Sequence, residues 1–285
     1  MEKENKLALY GAIIGDYFGS HYEGVVKNKY DDMGKIFIYS DCEYTDDTKM
    51  TCAVASAINM ANGNLNGFFA RRKLKENAIR EMKRIGRKYQ GRFGGSFYEW
   101  LMSNSKKPYH SYGNGACMKL GPVGLVSNSR KEAIKLSDLI TGITHDHPIS
   151  MYFARVVSSL IFEAKGTDSK DDMEKTIAEV GGYALLNIVK AFDLEDLHEN
   201  YGFDITCEGS VPQALYCFLT STSFGDCLSR CLYVGGDADT IAAIACSIAA
   251  PFYGDEQVRQ FVCALPEMPN DLSEIIEVFS KKHLW

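Results

Sequence analysis

Proline is scarce in this chain, with seven in 285 residues. Helix breakers are therefore few, and so are the alternating, β-branched runs that mark strands; residues 36–39 form the one stretch that reads as a strand. No apolar run reaches the roughly 20 residues that span a bilayer, which excludes a membrane-crossing helix. Residues 1–6 alternate acids and lysines, and the apolar stretch after them is broken by Gly15 and Asp16 without a small-residue cleavage pattern, so no signal peptide is expected. The nine cysteines are odd in number and scattered, and the closest pair, Cys227 and Cys231, lacks the two-residue spacing of a zinc knuckle. That excludes a disulfide framework and predicts free, buried thiols in a reducing cytoplasm. Internal repeats and low-complexity stretches are also missing.

What remains is a globular composition, 46% hydrophobic and 24% charged, long enough for a sizeable core. One domain spanning residues 1–285 is expected. The net charge of −6 argues against a general nucleic-acid binder, but it is unevenly spread. Residues 71–92 hold ten lysines or arginines against Glu76 and Glu81, which leaves the rest of the chain strongly acidic. A solvated helix face explains such a basic run more readily than a nucleic-acid platform does.

The dominant rhythm is helical. Met50, Ala53, Val54, Ala57 and Ile58 recur at the offsets of one helix face, and Ile241, Ile244, Ala245, Ile248 and Ala249 repeat that pattern near the other end. Further helices are legible around 7–20, 68–88, 131–141, 150–164, 171–192, 211–220 and 271–282, so the fold class is all-α. Gly11, Gly15 and Gly19 recur every four residues on one helix face, and each glycine inside a helix costs about 1 kcal/mol relative to alanine. Close approach of another helix backbone offsets that cost, and the alanine-rich helix over 240–250 is the expected neighbour.

The strongest chemical signal is a pair of acidic motifs, each just ahead of an amphipathic helix. The first is Thr45-Asp46-Asp47-Thr48; the second is Asp237-Ala238-Asp239-Thr240, preceded by Gly235 and Gly236. One such motif would be a helix cap. Two are harder to explain that way, because a cap uses one side-chain oxygen and four carboxylates brought together repel unless cations neutralise them. Hard oxygen donors without nearby His or Cys select Mg²⁺, Mn²⁺ or Ca²⁺ over zinc. Glu23 lies just past the glycine helix that carries Asp16. A glycine-rich stretch, Gly113-Asn114-Gly115-Ala116-Cys117-Met118-Lys119 followed by Gly121-Pro122, suits either a plain turn or a phosphate cradle opening into a helix, and its spacing matches neither a P-loop nor a dinucleotide fingerprint. His145 and His147, two residues apart, read as ordinary hydrogen-bonding histidines.

In their order along the chain, these segments resemble the ADP-ribosylglycohydrolase family, the group that includes the glycohydrolase reactivating dinitrogenase reductase. The likeness rests on Gly15-Asp16 and Gly19 with the trailing Glu23, on residues 45–48, on residues 113–119 followed by Thr144-His145, and on residues 235–240; it spans roughly 7–254. It implies a compact multi-helix orthogonal bundle with two magnesium or manganese ions in a cleft. By the same resemblance Thr45, Asp46, Asp47, Asp237, Asp239 and Thr240 would hold the metals, Gly113, Asn114, Gly115 and Ala116 would cradle a diphosphate, and His145 would contact bound ADP-ribose. Glu23 would face the scissile bond as general base or proton shuttle, with Asp46 or Asp47 able to share that role. Ala238 stands where the family frequently has a hydroxyl residue, and Lys119 where it frequently has arginine. The implied activity is metal-dependent hydrolysis of the bond between ADP-ribose and an acceptor side chain, with an ADP-ribosylated protein as substrate and ADP-ribose as product. The rivals are an ADP-ribose reader without turnover and a hydrolase acting on ADP-ribosylated nucleic acid or small molecules. Tyr112, beside the glycine stretch, is offered for stacking on the adenine.

Overall fold

The computed structural model describes residues 4–24, 33–34, 36–61, 65 and 67–284. Fourteen α-helices and no strand occur among them. The first half of the chain carries α1 (Tyr10–Gly19), α2 (Asp46–Asn59), α3 (Phe68–Lys88), α4 (Gly95–Met102), α5 (Gly121–Val126), α6 (Arg130–Thr141) and α7 (Pro148–Ala164). The second half carries α8 (Lys170–Ala191), α9 (Leu194–Asn200), α10 (Cys207–Thr220), α11 (Phe224–Val234), α12 (Ala238–Tyr253), α13 (Asp255–Ala264) and α14 (Asn270–His283). None of the helices is long and apolar enough to cross a membrane.

At the centre lies α12, which is buried on every face except at Tyr253, and α1, α7, α10, α11 and α13 pack around it. A helix that is apolar all round can only be stable inside a protein. The pairing of α1 with α12 is as close as the glycine spacing predicts. A Cβ on Gly11 would lie 2.2 Å from the Cys246 carbonyl oxygen, one on Gly15 2.3 Å from the Ala242 carbonyl, and one on Gly19 2.4 Å from Asp239 Cα. No side chain fits between these backbones. Their contact brings the residues that follow α1 up to those that precede α12, and the Gly24 amide donates to the Gly236 carbonyl at 2.8 Å.

The expected strand at 36–39 is not formed. Those residues carry no regular structure, Phe37, Ile38 and Tyr39 are exposed, and the Tyr39 ring stacks on His21 at 3.8 Å. A strand needs an edge to pair with, and an all-helical chain offers none. The helix read over 171–192 is broken at Gly182, whose φ of 81° no right-handed helix contains. All nine cysteines are free thiols and seven are buried.

The basic run along α3 has a structural use. Lys83 Nζ donates to the Trp100 and Ser103 carbonyls at 2.7 Å, and Arg87 donates to the Leu101 carbonyl at 2.7 Å and the Ser103 carbonyl at 2.9 Å. These cations satisfy the carbonyls at the C-terminal end of α4. Arg84 reaches the buried Glu81 at 2.8 Å, and Lys88 pairs with Asp271 at 2.9 Å. With Arg72 on Glu76, Arg80 on Glu81, and Arg92 on Glu23 and Glu43, seven of the ten cations already hold partners inside the chain. That leaves little of the run as a free face for nucleic acid.

Candidate active site

A cavity of about 460 Å³ opens where the end of α1, the start of α2, the glycine stretch and the start of α12 converge. Its walls include Glu23, Asp46, Asp47, Asp237, Asp239 and Thr240, so the two acidic motifs, nearly 200 residues apart in sequence, face one space. Thr240 Oγ1 donates to Asp47 Oδ2 at 3.3 Å directly across that gap. Carboxylate oxygens of Asp16, Asp47 and Asp239 lie within 4.8 Å of one another, and those of Glu23, Asp237 and Asp239 do likewise. Asp239 belongs to both groups.

The first motif is held by Asp16, a fully buried carboxylate on α1. It accepts the Thr45 amide at 2.9 Å, the Thr48 amide at 3.1 Å, the Thr45 hydroxyl at 2.5 Å and the Thr48 hydroxyl. Four donors on one carboxylate fix the N-terminus of α2 against α1. Thr45 is also the N-cap of α2, its oxygen accepting the Asp47 amide at 3.3 Å, and it lies behind the cavity wall. Capping therefore accounts for Thr45. It does not account for Asp237, which precedes α12 without a capping bond and instead accepts from Asn114 Nδ2. The backbone reaches Asp237 through Gly235 and Gly236, both with φ near +70°, and a Cβ on Gly236 would meet the Tyr201 ring at 2.4 Å.

Electrostatics mark the same residues. Burial and the neighbouring acids push Asp46, Asp47 and Asp239 well above the usual carboxylate range. Burial raises Asp16 to about 6 against the pull of its threonine donors, and raises Asp237 to about 6 against the bonds from Asp239 and Asn114. Asp47 Oδ1 is buried without a hydrogen-bond partner. Crowded carboxylates, an orphaned buried oxygen and an all-oxygen donor set are what a site for hard divalent cations presents, and these residues fit such ions.

The opposite wall is the glycine stretch. Asn114, Gly115 and Ala116 form one 3-10 turn, so of the two readings of this stretch the turn is the one formed; α5 begins only at Gly121. Gly113 pairs across to Thr206 in an isolated bridge, and Asn114 Nδ2 also donates to Ser210 at 2.8 Å. Gly113, Asn114 and Gly115 line the cavity, whereas Ala116 is buried behind it. The amides of Gly113, Asn114, Ala116 and Cys117 already donate to Ser111 Oγ and to the Ile205, Gly113 and Asn114 carbonyls. An anion here would meet Lys119, a residue only 1% exposed, which lines the cavity and donates to the Gly115 carbonyl. Burial lowers its pKa to about 8. His145 lines the cavity too. Its Nδ1 bonds the Thr144 hydroxyl at 2.7 Å, and burial reinforced by the charge of Lys119 holds the ring well below its usual pKa, hence neutral. His147 is a helix cap, accepting the Ile149 amide at 3.2 Å.

Sequence reasoning missed the rest of the enclosure. Arg92, Phe93 and Phe97 form one side, and Tyr109, Phe203 and Ile205 another. Phe93, Tyr109, Phe203 and Ile205 stand in connecting segments, where single residues carry no periodic signal, and Phe97 belongs to the short α4, which was not read. Only the glycines at 91, 94 and 95 hinted at a turn there. Tyr112 is outside the cavity wall, its ring edge set against His147 at 5.6 Å.

Comparison with known proteins finds one family over nearly the whole chain. The family model described as ADP-ribosylglycohydrolase matches residues 5–284. A relative from Xenopus tropicalis, ADP-ribosylhydrolase ARH3, is 24% identical, with 88% of this chain and 87% of the relative covered. ADP-ribosylhydrolase ARH3 of Mus musculus is 25% identical over 88% of this chain and 84% of its own length. Among solved structures, a chain of an "ADP-ribosylglycohydrolase-related protein complex" superposes with a TM-score of 0.75 over 98% of both chains at 18% identity, which shows the shared all-α fold.

Proposed function

Since the chain belongs to the ADP-ribosylglycohydrolase family, we propose that it is a hydrolase using two divalent cations, magnesium or manganese, to cleave the glycosidic bond between ADP-ribose and an acceptor side chain. The observation that carries this reading is the convergence of Asp46, Asp47, Asp237 and Asp239 on one cavity with their pKa values raised together. Asp46, Asp47, Asp237, Asp239 and Thr240 would hold the cations, with Asp16 and the cap residue Thr45 fixing the first motif from behind. When bound, such ions supply charge stabilisation and lower the pKa of water.

The chain's own groups do the remainder. Glu23 reaches the cavity beside Asp237 and Asp239 and is the carboxylate placed to take a proton from water or pass one to the leaving group. Lys119, beneath Gly113 and Gly115, offers positive charge to the diphosphate, and the missing Cβ at Gly115 leaves the ligand and His145 room to approach. Neutral His145 can donate or accept through Nε2, which suits a ribose hydroxyl. Phe93, Phe97 and Phe203 give the cavity apolar surface for the adenine or the acceptor and limit water entry.

The test is a pair of variants. Asp239→Ala is expected to lose magnesium binding by calorimetry and ADP-ribose release together, whereas Glu23→Gln retains magnesium binding and loses turnover by about a hundredfold or more. Full release by Asp239→Ala in chelator would sink the proposal. ADP-ribose binding by the wild-type protein without release from any ADP-ribosylated substrate would make it a reader instead.

A further inference from the structure

Arg92, the last cation of the basic run, belongs to none of the motifs that carry the family resemblance, yet it stands at the mouth of the cavity in an unusual conformation. Its φ is 53°, and among the described residues His110 is the only other non-glycine with positive φ. A left-handed arginine persists only where its surroundings over-determine it. The side chain supplies that reason. One guanidinium nitrogen donates to Glu23 Oε2 and to the Ser20 carbonyl, the latter at 3.4 Å, and Nε meets Glu43 Oε1 at 2.6 Å. Three separate parts of the chain are thereby joined: the segment leaving α1, the segment entering α2, and the connection from α3 to α4.

That connection has little backbone packing of its own. Gly91, at φ 128°, Gly94 and Gly95 have open space where a Cβ would be, so on either side of Arg92 the chain is held through the side chains of Tyr89, Phe93 and Phe97 against the core. Phe93 and Phe97, which face the cavity and each other at 5.4 Å, follow directly. Glu23, meanwhile, must sit within 4.8 Å of Asp237 and Asp239. Like charges push it outward unless an opposite charge draws it in.

We propose that Arg92 is a positioning residue that clasps the cavity mouth, holding Glu23 toward the paired aspartates and the 93–97 wall over the substrate. The inference rests on the reading of Glu23 as the proton-transfer group. A planar fork of five donors is needed to serve two carboxylates and a carbonyl at once, which a lysine ammonium does poorly. The ties run through a side chain rather than through packed backbone, so the clasp can be removed without unfolding the helices it joins.

Arg92→Ala, Arg92→Gly and Arg92→Lys in the full chain test this, with kcat, KM and metal-free amide hydrogen exchange as readouts. In the alanine and glycine variants kcat is expected to fall about 10- to 100-fold with KM within about threefold, as for a displaced catalytic group. Exchange at residues 91–97 should quicken while the amides of α12 keep wild-type protection. Millimolar guanidinium should restore part of the kcat of Arg92→Ala, and Arg92→Lys should fall between. Wild-type kcat and wild-type exchange in Arg92→Ala would overturn the proposal, as would losses that spread to α12 and resist guanidinium. Should wild-type protein release no ADP-ribose, the proposed reaction fails by itself, and exchange at 91–97 still decides whether Arg92 holds the wall.

Discussion

Asp16 and Asp237 make the residue-scale case for bound cations through their response to pH. Each is raised to about 6 in the folded chain, mainly by burial, against an ordinary 3.8. A carboxyl with a raised folded value binds its proton more readily folded than unfolded. Metal-free stability should therefore fall as pH rises from about 4 to about 6 and stay low above that. Divalent cations compete with those same protons, so their stabilising effect grows over the same range. The melting temperature with magnesium minus that with chelator is expected to widen by at least about 2 °C between pH 5 and pH 7.5. A difference independent of pH would contradict a site built from these acids. The two motifs were visible in sequence because short runs of oxygen side chains are dense and local. Asp16 was harder to place: its four donors come from residues 29 to 32 positions away, a distance that no local pattern encodes.

At the scale of elements, the contact between α1 and α12 sets where the site can be. The carbonyl of Ala242 lies 2.3 Å from where a Gly15 Cβ would stand, and both neighbours are backbone, so neither can swing aside. Gly15→Leu is expected to lower stability by more than about 3 kcal/mol in urea unfolding or to prevent folding. A variant with near-native stability would refute this packing. The glycine period and the alanine-rich partner made this contact legible, because small residues at helical spacing have few other uses. Long periodic helices were equally legible, and α3 begins and ends where its pattern does. The helices at Gly95–Met102, Gly121–Val126, Leu194–Asn200, Phe224–Val234 and Asp255–Ala264 were not read at all. Those at Gly95–Met102, Gly121–Val126 and Leu194–Asn200 are at most eight residues long, too short for a periodic pattern to stand out. Phe224–Val234 and Asp255–Ala264 do carry an amphipathic pattern, which the reading passed over. The break at Gly182 shows the opposite limit: two helices in tandem mimic one continuous pattern.

Across the whole molecule, charge is unevenly placed. The cations of residues 71–92 brace α4, the buried Glu81 and Asp271, and reach the cavity mouth at Arg92, while Glu23, Asp46, Asp47, Asp237 and Asp239 line the cavity itself. Most of the basic run is engaged internally, which leaves few of its cations free to track a phosphate backbone. The most direct test is release of ADP-ribose from serine-linked and arginine-linked ADP-ribosyl peptides, with magnesium and with chelator. The account predicts magnesium-dependent release from at least one of them. Release undiminished by chelator, or ADP-ribose binding with no release from either peptide, would contradict it.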